Sequence, residues 1–316
     1  MQSVGALAAI FVVAIIISPT AFDGSRIFLQ LGNLTDILRQ VSIIGIISLA
    51  MTFVILTAGI DLSVGSILAL STSVTALMLT HWRPGLAYPV EIAGAIIVAL
   101  LVSTAAGALG GAVIAIFDVQ PFVVTLAGMI GIRGLAKWLS NNANIDIGFG
   151  QDVASSFAAA FRGKGVTIGC YICLAIVFAL LLNRTVFGRH VRAVGDNERA
   201  ARYAGLPIRT VKLLVYSLSG LLSGVAGVLY AAENHQGNPN SGIAYELDAI
   251  AAVVIGGTSL SGGKGSILGT VVGTLLIGIL TNMLRLNNVD SNVEMMVKAG
   301  IIILAVAVQK QGKYAR

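Results

Sequence analysis

Residues 51–70 read MTFVILTAGIDLSVGSILAL. Two apolar stretches are interrupted at Gly59 and then by a lone carboxylate, Asp61, followed by Ser63, Gly65 and Ser66. As α-helices, the stretches near 41–58 and 62–80 are each about 27–28 Å long, close to the ~30 Å of hydrocarbon that a membrane span crosses. The interruption therefore reads as a turn between two spans, on the cytoplasmic side. Asp61 stands just before LSVGSILAL, where its carboxylate can accept the free amides of the next helix and gain from the helix dipole. A carboxylate inside the membrane otherwise marks a proton, ion or substrate site. That role is the alternative to the cap.

The rest of the chain repeats this pattern. Of 316 residues, 56% are hydrophobic and 11% charged, against about 25% charged in soluble domains. Mean hydropathy is +0.91. Apolar runs recur near 4–18, 41–58, 62–80, 92–116, 121–139, 166–183, 211–232, 246–260, 266–284 and 293–309. They predict an all-α, polytopic membrane protein with about ten transmembrane helices, forming one domain over 1–316. Runs such as AIFVVAIIIS and VVGTLLIGIL are continuous, whereas a membrane β-barrel alternates apolar and polar residues. The first run lacks a basic leader and a cleavage site, so it reads as a span and not a secretory signal. Glycines within the runs, as in AAGALGGAVIA (105–115) and GTVVGTLLIG (269–278), read as contact faces where helix backbones approach closely.

The net charge of +6 matters through its distribution. Segment 184–212 carries Arg184, Arg189, Arg192, Arg199, Arg202, Arg209 and Lys212 against Asp196 and Glu198. Basic residues beside span ends mark the cytoplasmic face, so the excess is accounted for without nucleic acid. Counting spans from this loop puts both termini inside, the tail with Lys310, Lys313 and Arg316 included, and segment 233–245 outside. Within the loop, Asp196 can cap a short helix over 196–204, which Gly205 and Pro207 then stop. Two readings fit these residues equally: a solvated, lipid-facing basic loop, or a rigid knob for a cytoplasmic partner.

A second interruption, GGTSLSGGKGS (256–266), holds Gly256, Gly257, Gly262, Gly263 and Lys264. It fails the phosphate-loop pattern G-x-x-x-x-G-K-[ST] twice. With Lys264 as the motif lysine, Thr258 falls on the first glycine and Gly265 on the hydroxyl. No cofactor is expected on this chain, and any ATP hydrolysis belongs to another. Both interruptions end in Gly-Ser-Ile-Leu, at 65–68 and 265–268, which reads as similar turn chemistry. Cys170 and Cys173 have redox or zinc spacing but fall inside a span, and read as small buried residues. His81, His190 and His235 show no ligand spacing, and no catalytic cluster is visible.

Four separated motifs carry a resemblance: MTFVILTAGIDLSVGSILAL (51–70), PFVVTLAGM with RG shortly after (121–134), FGRHVRAVGDNERAARYAGL (187–206) and YELDAIAAVVIGGTSLSGGKGSILGT (245–270). Together they resemble the ribose-type monosaccharide permeases of bacterial ABC importers, along nearly the whole chain. The resemblance implies a multi-pass inner-membrane subunit acting as a homodimer around a monosaccharide path. A periplasmic sugar-binding protein would deliver substrate and a separate cytoplasmic ATPase would use ATP. Segment 188–207 would face that ATPase, with Arg192, Arg199 and Arg202 making the polar contacts, while Asp61 and Ser63 fix the turn between the second and third spans. The rival is a stand-alone secondary carrier in which Asp61 binds a proton or ion. The sugar and its contacts are not named by the sequence.

Overall fold

The computed structural model describes residues 2–22, 24–82, 84–150, 152–290, 292–301 and 303. Its helices are α1 (Gln2–Ile17), α2 (Leu31–Leu56), α3 (Val64–His81), α4 (Tyr88–Phe117), α5 (Pro121–Leu139), α6 (Val153–Phe161), α7 (Lys164–Arg184), α8 (Val186–Asp196), α9 (Glu198–Tyr203), α10 (Ile208–Asn234), α11 (Tyr245–Ile255) and α12 (Ile267–Leu286). A last helix, α13, covers 292–301. A two-residue antiparallel pairing, β1 (Ile145–Asp146) with β2 (Gln236–Gly237), ties the ends of α5 and α10 together.

Seven helices, α2, α3, α4, α5, α7, α10 and α12, are long and apolar enough to cross a membrane. Seven of the ten expected spans are thus present among the described residues. The run at 4–18 forms α1, whose apolar part, Gly5–Ile17, is short for a span. The run at 246–260 forms only the 11-residue α11, about 16 Å long. The run at 293–309 continues past the described residues, as do Lys310, Lys313 and Arg316.

α2, α3 and α10 make the centre, with Leu49, Phe53, Leu56, Leu68, Val215 and Ala226 fully buried or nearly so. α4, α5 and α7 turn large apolar side chains outward, among them Leu101, Leu109, Ile130, Ile172 and Leu180. A helix apolar on all sides belongs in lipid or in a core, and these three form an exposed apolar rim. Cys173 lies exposed on this rim and Cys170 is half-buried, so the expected burial of both cysteines is corrected. Inside the rim, helices meet through small residues, as lipid favours. A Cβ on Gly107 of α4 would overlap the Tyr216 carbonyl oxygen of α10.

Candidate functional site

The two glycine-rich interruptions and the basic loop, far apart in sequence, meet at one end of the bundle. The last carbonyl of α2, on Leu56, accepts the Gly263 amide at 3.0 Å. Gly195, one residue before the end of α8, lies against the same carbonyl, where an added Cβ would overlap the Leu56 oxygen and crowd the Gly263 nitrogen. Gly262 and Gly263 have φ of +84° and +72°, a left-handed conformation that glycine adopts without penalty. They lie on Gly195 and Asp196. Gly256 packs on Gly269 of α12. Gly257 and Lys264 are exposed, and the Lys264 carbonyl accepts the Ser259 amide at 2.8 Å.

Asp61 lies beneath this cover and is fully buried. Its Oδ1 accepts the Ser63 amide at 2.9 Å and the Ser63 hydroxyl at 2.6 Å, and its Oδ2 accepts the Ser219 hydroxyl of α10 at 2.6 Å. The carboxylate does not cap the first-turn amides of α3. Ser63 is the N-cap residue, without a side-chain cap bond, and Asp61 sits too far before the helix to reach past it. What Asp61 does is bind the α2–α3 turn to α10. Ser219 is eleven residues beyond Ile208, about 17 Å along the axis, so the turn is sunk into the bundle and not placed at the surface. Thr125 donates to the Ile60 carbonyl at 3.1 Å and Ser66 to the Met129 carbonyl at 2.7 Å, fastening the same turn to α5. Gly59 lies against the Tyr216 hydroxyl and Gly65 against Gly242 and Glu246.

The basic loop forms two helices. Thr185 caps α8 through the Gly188 amide at 3.2 Å, and Asn197 caps α9 through the Ala200 amide at 3.0 Å. The cap expected at Asp196 is therefore Asn197: Asp196 ends α8. The expected stop is present, with Gly205 at φ +76° and the Leu206 amide bonded to the Ala201 carbonyl at 3.1 Å. Val191, Val194 and Ala201 are buried, while Arg189, Asp196, Arg199 and Arg202 are exposed. Arg192 is half-buried and donates to Asn183 at 2.7 Å. Glu198 pairs with Arg202 at 3.3 Å and with Lys212 at 3.0 Å. Asp118, Glu198, Arg199, Arg202 and Tyr203 line an open groove of about 470 Å³. The Tyr203 ring is 92% exposed beside it.

The sequence reading missed the segment between α10 and α11. Within segment 233–245, expected as an outside loop, residues 236–244 run back along α3. Gly237 packs on Thr72 and Ala76, and Gly242 on Gly65 and Leu68. Irregular backbone at membrane depth is tolerated only where protein satisfies its polar groups. Thr72 donates to the Asn238 carbonyl at 3.1 Å and accepts its amide at 3.3 Å. Arg133 of α5 donates to the Pro239 and Ser241 carbonyls. The Gly-Asn-Pro-Asn-Ser-Gly run at 237–242 was the available signal, since such residues favour turns over helix.

Residues 33–306 match the family described as branched-chain amino acid transport system / permease component. The chain is 41% identical to the ribose import permease protein RbsC of Haemophilus influenzae, covering 88% of this chain and 85% of that one. It is 40% identical to the RbsC of Bacillus subtilis, over 98% and 94%. It is 38% identical to the D-allose transport system permease protein AlsC of Escherichia coli, over 95% and 90%. No solved structure matches the chain significantly. With seven helices of spanning length and a family match over most of its residues, this chain is a multi-pass membrane protein of the branched-chain amino acid transport system permease family.

Proposed function

We propose that the chain is the membrane-spanning permease subunit of an ATP-driven ABC importer for a monosaccharide, in the bacterial inner membrane. The observation that carries this reading is the roughly 40% identity, along most of both chains, to permeases named for ribose and D-allose. The subunit works as a homodimer and receives its sugar from a periplasmic binding protein. A cytoplasmic ATPase docks on α8 and α9, whose caps and buried apolar face make them a rigid platform. ATP binding displaces this platform, and the Gly195–Leu56–Gly263 junction passes the displacement to α2 and to the segment before α12. Alternating access of this kind requires two arrangements that the nucleotide-bound ATPase binds unequally.

Arg199 and Arg202 are placed to contact the ATPase, and Glu198, paired with Arg202 and Lys212, holds α9 against α10. Asp61 accepts from Ser63 and from Ser219 of α10, which supports its role as a tie between the α2–α3 turn and α10. The test is Arg199→Glu with Arg202→Glu. The double variant should reach the membrane folded yet lose ATPase association and ATP-driven sugar uptake by tenfold or more. Unchanged uptake would refute docking through α9.

A further inference from the structure

A second polar site lies on the far side of the bundle from the ATPase platform. α2, α10, α11, α12 and α13 line a cavity of about 130 Å³ that is open on one side. Drug-sized pockets run to about 300 Å³ and more, so this one fits a single small ligand. Tyr230 and Tyr245 form an edge-to-face pair at its wall, with centroids 6.2 Å apart. Glu233, Asp248, Thr281 and Lys298 also line it.

Charge identifies the class of ligand. Arg39 faces Glu233 at 3.2 Å, and Lys298 reaches Asp248 at 3.2 Å and Glu294 at 3.0 Å. Arg285 pairs with Glu294 at 3.3 Å. Arg39 also meets Asp36 at 3.6 Å, and Lys164 pairs with Asp36 at 2.8 Å, so four cations answer four carboxylates, leaving no net charge to attract an ion. One acceptor is still unused: Glu233 Oε2 is buried and takes no hydrogen bond from any described residue. A buried acceptor of this kind is costly unless a ligand donor reaches it. The aromatic pair supplies an apolar surface with a polar rim. Hydroxyl donors beside a C–H face are the pattern of a sugar ring.

We infer that this cavity holds the translocated ligand and takes one neutral polyol, its hydroxyls donating to Glu233 and its C–H face against the Tyr230–Tyr245 pair. The inference rests on the importer reading above. It identifies contacts that sequence alone left unassigned and excludes phosphorylated sugars, because the balanced site has no spare cation for a phosphate.

The experiment uses the full transporter in proteoliposomes with its ATPase and binding protein. It follows radiolabelled ribose, with galactose, ribose 5-phosphate and leucine as parallel probes. Thr281→Met, which fills the cavity without altering charge, should lower sugar moved per ATP hydrolysed at least tenfold. Glu233→Gln should lower it several-fold, and so should Tyr245→Leu, which removes the ring face but keeps an apolar side chain of similar reach. Wild-type ratios in all three variants, or ribose 5-phosphate uptake equal to ribose, would overturn the site. If the wild-type protein moves leucine and neither sugar, the importer reading itself fails, and that result is seen before any variant is made.

Discussion

Replacing Gly195 with alanine tests the junction where α8, the end of α2 and the second glycine-rich segment meet. The new Cβ would overlap the Leu56 carbonyl oxygen and crowd the Gly263 nitrogen. Both neighbours are backbone, so neither can rotate aside as a side chain would. Overpacking costs about 1–3 kcal/mol, and weakening the 3.0 Å bond from the Gly263 amide to the Leu56 carbonyl adds about 1 kcal/mol. A strain of about 2–4 kcal/mol on the arrangement with α8 seated on α2 lowers its population roughly 30- to 900-fold against a competing one. Sugar uptake per ATP in proteoliposomes should therefore fall by more than tenfold. Gly205→Ala is the matched control, because that glycine has a left-handed φ but nothing within 4 Å of an added Cβ. Its strain, about 1 kcal/mol, stays local to the loop. If Gly195→Ala couples as well as wild type while Gly205→Ala does not, the junction is not the transmission point.

Other outcomes follow from the same contacts. Asp61→Asn should keep most uptake, because the amide oxygen still accepts from Ser63 and its NH2 can donate to the Ser219 hydroxyl. Asp61→Ala strands those donors at about 1–3 kcal/mol for a buried group and should lower the detergent-solubilised Tm by several degrees. Full loss in the asparagine variant with normal assembly would instead point to proton coupling. Arg133→Leu leaves the Pro239 and Ser241 carbonyls without their shared donor. It should make segment 236–244 susceptible to protease in detergent, and resistance equal to wild type would refute the anchoring role.

How much could be read from sequence depended on whether the determinant was local. The stretch 121–139 matched α5 at both ends, since Pro121 marks a helix start and the following residues are apolar up to a turn. The start of α2 was placed ten residues late, at 41 against Leu31. Its first turns carry polar groups such as Asp36 and Arg39, which meet Lys164 and Glu233, distant partners that no window reveals. Hydropathy likewise could not separate a full span from the half-length α11, because both are apolar. The motif glycines 256, 257, 262 and 263 were legible as a break, but Gly195, which most restricts the junction, sits inside an amphipathic helix without local distinction. Its constraint comes from Leu56, far away in the chain. Asp61 was singled out correctly as unusual, and its ties to Ser219 and, through Ile60, to Thr125 could be known only from the folded arrangement.

The return of segment 236–244 along α3 also bears on biogenesis. α11 is too short to be inserted as a span in its own right, and the residues before it carry polar backbone that lipid alone cannot accommodate. Their partners, Thr72 and Arg133, are translated earlier. The ribosome therefore delivers this segment to a membrane in which its hydrogen-bond partners already wait. A gene rearranged to encode residues 236–286 first is expected to present the translocon with a stretch whose hydrogen-bond partners have not yet been made.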